Sequence, residues 1–257
     1  MSIYLTTFIP ASGLLGRLRD GAAWDEAGLL DYKSHPTNAA NGSLMRNGIL
    51  PGLLFGEELN LLFRATVQHS IITHANPLAV LCCAAHSWII ADELSEWGQG
   101  PTSDPDGWLD SFYDDWTAYV VGEDDPHVGK WLDTVRMAMQ RAGEALSQAD
   151  WNPHTFNPFK VDFGGRAGYC LLTLQIAVWA LHWSKLDEPF PVPDGFPAEV
   201  FRKRGAWTIA WPSLVGHDSD TYGAVFGAMA AAAHGDVPHA MTEKLSALLA
   251  FDRLAPD

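Results

Sequence analysis

Apolar residues three and four positions apart recur through most of this chain, and this spacing restricts its fold more than any other feature. In the segment 57–72, for example, Leu59, Leu62, Phe63 and Thr66 fall on one side of a helix. A side-chain period of 3.6 is that of an α-helix, whereas a strand alternates with period 2. Few segments alternate with period 2, so the sequence predicts an all-α fold.

The same spacing places the other helices. Pro77 suits the first turn of a helix that runs towards Glu93, because its missing N–H needs no partner there. The loops between the predicted helices are rich in Pro, Gly and Asp, and none is long or polar enough for an interdomain linker. We therefore predict a single domain over residues 1–257. The remaining predicted helices cover 107–120, 128–147, 166–184, 222–234 and 238–253.

The charge of the chain excludes one class of partner. Its formal net charge is −15, from 31 acidic and 16 basic residues. Such a surface repels a phosphate backbone, so we expect no nucleic-acid partner, although one local pocket could still hold an anion.

Cysteine content and the start of the chain bear on its compartment. The three cysteines, Cys82, Cys83 and Cys170, cannot form a disulfide framework, and two of them are neighbours in an apolar run. This pattern is typical of small buried residues in a reducing compartment. The first residues lack a basic region ahead of their apolar part, and no run of about eighteen uninterrupted apolar residues follows. We expect a cytoplasmic protein with no membrane segment.

The stretch "GHDSDTYG" places two carboxylates and a hydroxyl just before a helix of small residues. Asp218, Asp220 and Thr221 offer oxygen ligands that suit a hard cation such as Mg²⁺. An acidic residue before a helix is more commonly an N-cap, however, and close helix packing explains the small residues equally well. Both interpretations stay open from these residues alone.

The stretch "NGSLMR" has a related arrangement. Asn41 and Gly42 predict a sharp turn, followed by a helix that starts at Ser43 and packs its apolar body in the core. The free N–H groups and positive dipole end of such a helix would fit a phosphate. The alternative is that Ser43 caps the helix and that Arg46 is a surface or salt-bridged residue.

Two further stretches could contribute to a site. In "SIITHANP", His74 lies at a junction between helices, where a histidine usually complements the dipole of the first helix. In "FGGRAGYC", Gly168 and Tyr169 precede a long apolar helix, where a flat ring could stack on an adenine or a ribose. For Gly168 and Tyr169, plain packing is the more common explanation.

Taken in order, "NGSLMR", "ITHANPLAV", "GGRAGYCLLTLQIAVWAL" and "GHDSDTYGAVFGAMAAAAHG" closely resemble the ADP-ribosylglycohydrolase family over about residues 14–253. The phrase Asp-x-Asp-Thr-x-Gly is the most specific element. The resemblance implies a compact, orthogonal all-α bundle that binds ADP-ribose beside a dinuclear Mg²⁺ site. It also implies hydrolysis of the N- or O-glycosidic bond between ADP-ribose and a protein side chain or a small molecule.

The resemblance assigns roles to individual residues. Asp218, Asp220 and Thr221 would hold the metal, and the two aspartates would also serve catalysis. Metal-held water and polarised ribose hydroxyls would help an oxocarbenium-like centre to form. The implied ligand contacts are Asn41, Gly42, Ser43, Met45, His74, Gly168 and Tyr169.

One part of the family pattern has no counterpart in this sequence. Members normally begin with a further segment, whose Thr-Asp-Asp or Ser-Asp-Asp turn supplies the other metal ligands, and no Asp-Asp precedes "NGSLMR". His217 also replaces a usual glycine. We therefore expect an N-terminally shortened fold, a Mg²⁺ site that is weak or absent, and a homo-oligomer or partner chain that covers the exposed core.

Three explanations of this difference stay open. The missing ligands could come from a second polypeptide or another subunit, or the chain could use a different mechanism on a related ribosyl substrate. It could also be a non-catalytic ADP-ribose-binding or regulatory subunit.

Overall fold

The computed structural model describes residues 16–95, 107–186, 196, 208 and 210–235. Across these residues the regular structure is helical, and the only β pairing is an isolated antiparallel bridge between Ala40 and Tyr169. The prediction of an all-α fold is confirmed. The helix predicted over 238–253 lies outside the described residues.

The helices follow the predicted order. Those predicted over 57–72, 107–120 and 128–147 are confirmed, and so is the helix that starts at Pro77. The helix predicted over 166–184 begins later, at Cys170, because Tyr169 is extended and pairs with Ala40 in the isolated bridge. The elements are α1 (Trp24–Ser34), α2 (Gly42–Asn47), α3 (Ile49–Leu53), α4 (Leu59–Ile71), α5 (Pro77–Ser95), α6 (Trp108–Gly122), α7 (Pro126–Ser147), the 3₁₀ turn η1 (Pro158–Lys160), α8 (Cys170–Lys185), α9 (Ala210–Ser213) and α10 (Ser219–His234).

Helix α5 lies at the centre of the molecule. It packs against α2, α4, α7, α8 and α10, and both Cys82 and Cys83 on it are fully buried. A helix that is apolar all round is stable only when every face is covered. Among the described residues, α5 alone is long and apolar enough to cross a membrane, but 78% of its apolar window is buried inside the protein, as in the core helix of a soluble protein.

Small residues bring α2, α9 and α10 close together. A β-carbon placed on Gly48, next to α2, would lie 2.6 Å from the Cβ atom of Ala228 in α10. One placed on Gly223 in α10 would lie 2.8 Å from the Ser213 hydroxyl of α9. The small-residue stripe of α10 therefore serves close helix packing, which brings the start of α10 next to the start of α2.

The segment α2–α3 differs from the prediction for it. Helix α2 begins at Gly42 and has only six residues. Its polar side chains at Ser43 and Asn47 are fully buried. Along the outer side, by contrast, three apolar residues spaced four apart are exposed, so the prediction that the apolar body packs in the core is wrong for them. These residues are Met45 (45% exposed), Ile49 (65%) and Leu53 (70%).

Candidate active site

A cavity of about 510 Å³ opens between three segments that are distant in the sequence. Its walls are residues 37–40 ahead of α2, the loop 161–169 ahead of α8, and residues 217–218 ahead of α10. Two backbone hydrogen bonds join the first two walls, from the Asn41 amide to the Gly168 carbonyl and from the Cys170 amide to the Ala39 carbonyl, both 3.0 Å long. The cavity thus lies where the starts of three helices meet.

Asp218 is the carboxylate of α10 that lines this cavity. It occupies the N-cap position of the helix, but its side chain makes no capping hydrogen bond. Its Oδ2 instead accepts from the Asn41 amide nitrogen at 2.7 Å, and its Oδ1 accepts from the Thr221 hydroxyl at 3.0 Å. The capping interpretation is therefore wrong for Asp218, whose carboxylate is held by two side chains and not by the backbone N–H groups of its own helix.

Asn41 connects the three helices around this carboxylate. Its side chain is buried, and its amide nitrogen also donates to the Thr173 hydroxyl of α8 at 2.9 Å. A carboxylate can only accept, so the nitrogen and not the oxygen of the Asn41 amide faces Asp218. Both N–H bonds of that amide donate within the protein, one to Thr173 and one to Asp218. Asn41 does not line the cavity itself; it holds Asp218, which does.

The predicted metal ligands lie around the start of α10. Thr221 is buried and lies 3.5 Å from the sulfur of Met45, whereas Asp220 is exposed. No group of three or more His, Cys, Asp or Glu side chains suited to a metal occurs in the described part of the chain. The hard oxygens of Asp218, Asp220 and Thr221 fit one Mg²⁺ that keeps most of its water ligands, but they do not fit two ions. Binding of Mg²⁺ stays a prediction.

The other residues predicted around the start of α2 lie away from the cavity. The Ser43 hydroxyl accepts from the Ser70 hydroxyl at 3.0 Å inside the core, so the interpretation that Ser43 caps α2 is wrong. The imidazole of His74 packs on Gly42, where an added β-carbon would lie 2.9 Å from two ring atoms. Gly42, Ser43 and His74 therefore form a packed junction between α2 and α4.

A positive charge adjoins this junction. The Arg46 guanidinium donates to His69 Nε2 at 2.8 Å, to the His69 carbonyl at 3.0 Å and to the Thr73 hydroxyl, which also contacts His74 Nδ1 at 2.8 Å. Arg46 is exposed and makes no salt bridge to a described residue. Burial, together with the charge of Arg46, lowers the pKa of both His69 and His74 to about 4, so both rings are neutral at pH 7.

Both residues predicted to contact the adenosine, Gly168 and Tyr169, line the cavity. Gly168 and Tyr169 lie in its wall, next to the bridge from Tyr169 to Ala40. Burial raises the pKa of the Tyr169 phenol to about 12, which keeps the hydroxyl protonated. The cavity wall carries two carboxylates, Asp162 and Asp218, and the Arg166 guanidinium.

Three cavity residues were not predicted as part of the site. Phe163 is a buried ring of the loop ahead of α8, and Arg166 is an exposed cation in the same loop. His217 packs on Phe163 with 4.1 Å between ring centroids. The loop has no helical period, so the sequence does not show which of its residues face inwards. The one signal was an aromatic residue, Phe163, directly before Gly164 and Gly165.

The fold and this cavity define a helical protein with a carboxylate held at the meeting point of three helix starts. The chain belongs to the ADP-ribosylglycohydrolase family, whose model matches residues 10–257. No curated protein matches the chain. The resemblance stated from the motifs is confirmed, and membership points to a hydrolase of the ADP-ribosylglycohydrolase type.

Proposed function

We propose that this protein is a hydrolase that cleaves an N- or O-glycosidic bond of an ADP-ribosylated protein, or of a small molecule derived from ADP-ribose or NAD. One observation carries the proposal: the Asp218 carboxylate lines the cavity, does not cap its helix, and is held by Asn41 and Thr221. A fixed carboxylate of this kind is what stabilises a positive charge that develops during a reaction.

The chemistry follows from the charge of the transition state. When a glycosidic bond to ribose breaks, positive charge develops on the anomeric carbon and the ring oxygen. An ionised Asp218 beside that carbon lowers the energy of this state, and its two hydrogen bonds fix the direction in which it acts. The oxygen of water then bonds to the anomeric carbon as the leaving group takes the electron pair of the broken bond, and the proton released from the water passes to the leaving group or to solvent.

A bound Mg²⁺ would belong to the same end of the cavity. Asp218, Asp220 and Thr221 are the residues that would hold it. When bound, the ion would polarise the ribose hydroxyls and add positive charge to the site. Without it, the chain itself supplies the orientation of Asp218 through the Asn41 amide.

Arg166 supports an anionic substrate. Its guanidinium lies in the cavity wall and donates to the Asp162 carbonyl at 3.2 Å, which leaves further N–H groups for a ligand. A guanidinium recognises phosphate oxygens in a planar, bidentate manner. We place the diphosphate of ADP-ribose near Arg166 and the adenosine near Tyr169 and Gly168.

The test is isothermal titration of ADP-ribose, with and without Mg²⁺, joined to a hydrolysis assay on ADP-ribosylated substrates. We expect Asp218→Asn to lower turnover by about 10²–10³-fold, because it removes the charge that faces the anomeric carbon. Asp114→Asn, which removes an exposed carboxylate on α6, is the matched control. Equal turnover in wild type and Asp218→Asn, with intact folding in both, would contradict the proposal.

One observation favours a second candidate. The described residues offer no further carboxylate cluster beside Asp218, and a non-catalytic ADP-ribose-binding or regulatory subunit needs none. Micromolar binding of ADP-ribose without turnover of any ADP-ribosylated substrate would support this candidate. Absence of binding would remove it.

The setting of the protein is also a proposal. We propose a cytoplasmic protein that forms a homo-oligomer, or binds a partner chain, through the exposed stripe of Met45, Ile49 and Leu53. The net charge of −15 argues against nucleic acid as its partner.

A further inference from the structure

Three aromatic rings form a column that begins in the core and ends in the cavity. Tyr222 of α10 is fully buried, and its hydroxyl donates to the Ala167 carbonyl at 2.8 Å. Phe163 stacks on it with 6.4 Å between centroids and 24° between planes. His217 then packs on Phe163 at 4.1 Å and 31°. The inner two rings are fixed by burial, so the exposed imidazole of His217 rests on a rigid support.

The backbone at His217 is unusual. Its φ is +57°, in the left-handed region that residues other than glycine rarely adopt, and Gly216 before it has a φ of +81°. A residue held in this region costs free energy, and such residues concentrate at functional sites. Glycine could adopt this backbone without that cost. The imidazole, which glycine lacks, is therefore what His217 adds to the cavity wall.

One face of the His217 ring is open. Phe163 covers the first face, no described residue hydrogen-bonds to the ring nitrogens, and the residue is exposed in the cavity wall. A flat aromatic ring placed on the second face would extend the column as a fourth member. Offset stacking of this kind adds to the free energy gained from burial alone.

The position of His217 identifies which part of a substrate would stack there. It directly precedes Asp218, which the proposed function places beside the anomeric carbon. A ring on His217 therefore lies next to the bond that breaks, at the leaving-group end. A planar guanidinium is the other flat group that could stack on this ring. Cations bind over the faces of Trp, Tyr and Phe, however, and the face of an imidazole attracts a cation less strongly.

We infer that the leaving group is a heteroaromatic base that stacks on His217, so that the substrate is an N-ribosyl compound and not an ADP-ribosylated arginine or serine. This inference rests on the proposed function for the reaction, and on the ring column for the leaving group. In the reaction, water oxygen bonds to the anomeric carbon and the C–N bond breaks, with its electron pair passing to the ring nitrogen. The proton released from water goes to that nitrogen, or to solvent when the base leaves as a neutral pyridine.

The experiment measures binding of free bases, which does not depend on turnover. Nicotinamide and adenine are titrated into wild type and into His217→Phe, His217→Asn and His217→Gly, with methylguanidine as the competing probe. Asparagine tolerates the left-handed backbone but has no aromatic ring, and phenylalanine keeps a ring. We expect nicotinamide to bind wild type and His217→Phe, and at least tenfold more weakly to the other two variants. Adenine, which the proposed function places near Tyr169, is the control base, and its binding should be unchanged in all three variants. The thermal midpoint of each variant reports its folding.

Two results would overturn the inference. One is nicotinamide binding that is absent in wild type or unchanged in His217→Gly; the other is methylguanidine binding as tightly as nicotinamide. A hydrolysis assay on NAD and on ADP-ribosyl-arginine completes the test, and we expect faster cleavage of NAD by wild type. Asp218→Asn separates the two proposals: it should lower turnover by about 10²–10³-fold while leaving nicotinamide binding unchanged. Preserved turnover in that variant would contradict the proposed function alone.

Discussion

The segment α2–α3 and helix α10 begin with similar polar turns but are oriented in opposite ways. In α10 the apolar residues Val225, Phe226 and Met229 are fully buried, and the polar Asp220 is exposed. In α2–α3 the polar Ser43 and Asn47 are fully buried, and the apolar stripe of Met45, Ile49 and Leu53 faces outwards. The comparison teaches that a polar turn followed by apolar residues does not determine which face of the helix enters the core.

The neighbours of α2 explain its orientation. Asn47 donates to the Cys83 carbonyl at 3.0 Å and to the Ser87 hydroxyl at 2.8 Å, both in α5. Ser43 accepts from Ser70 in α4. Buried polar groups cost free energy unless they are paired, so these hydrogen bonds hold the polar face of α2 inwards. The start of α10 meets an open cavity instead, and its carboxylate remains available to a ligand.

The largest expected effect is on the free energy of unfolding, for which we compare a buried polar residue of α2 with an exposed polar residue of α10. Asn47→Ala removes hydrogen bonds between α2 and α5 and leaves a cavity, so we expect the free energy of unfolding to fall by about 2–3 kcal/mol. Asp220→Ala removes an exposed side chain and should change it by less than about 0.5 kcal/mol. Urea unfolding of both variants measures the difference. Equal effects would mean that α2 is not held by its polar face.

A smaller effect comes from the histidines on the α2 side. His69, His74 and His86 each have a pKa lowered to about 4 by burial, against an ordinary value of about 6.5 in the unfolded chain. As the pH falls from about 6.5 to 4, the unfolded chain binds more protons than the folded one, so stability is lost across that window. We expect about 1–2 kcal/mol for each histidine.

Unfolding measured between pH 7.5 and 4.5 tests this expectation, with His74→Gln as the comparison variant. The substitution should make the dependence on pH less steep. A slope identical to that of wild type would show that His74 titrates normally in the folded protein.

The smallest expected effect on the stability of one chain comes from a substitution in the exposed stripe of Met45, Ile49 and Leu53. Leu53→Glu places a charge on the outer side of α3, where Leu53 is exposed, so the stability of one chain should change by less than about 0.5 kcal/mol. If the stripe is the proposed contact with a second copy, the wild-type mass in solution exceeds that of one chain and Leu53→Glu reduces it. Sedimentation at several concentrations measures both. A wild-type mass equal to one chain would remove the homo-oligomer and leave a partner chain as the occupant.

Much of the fold could be predicted because helical spacing is a local property. The period of apolar residues located α4, α6 and α7, and Pro77 located the start of α5. The prediction that Asp218 belongs to the site came from the resemblance, since the residues alone left both capping and metal binding open. Its partner Asn41 could not be identified, because the hydrogen bond between them joins residues 177 positions apart.

The rest of the site depends on tertiary packing. Ser43 was expected either to face a ligand or to cap α2, but α4 and α5 present polar partners that bury it. Phe163 and Arg166 belong to a loop without a helical period, and burial in such a loop depends on what surrounds it. His217 was noted only as a departure from a glycine, and its place in the ring column required the coordinates.

The hydrogen bond between Asn41 and Asp218 also determines when, during folding, the Asp218 carboxylate becomes fixed. Because this hydrogen bond joins residues 177 positions apart, the carboxylate acquires its fixed position only when the starts of α2 and α10 have come together. On a ribosome, the nascent chain has no site until residue 221 has emerged. A truncated product that ends before residue 218 would lack both Asp218 and Thr221, and with them the fixed carboxylate of the cavity.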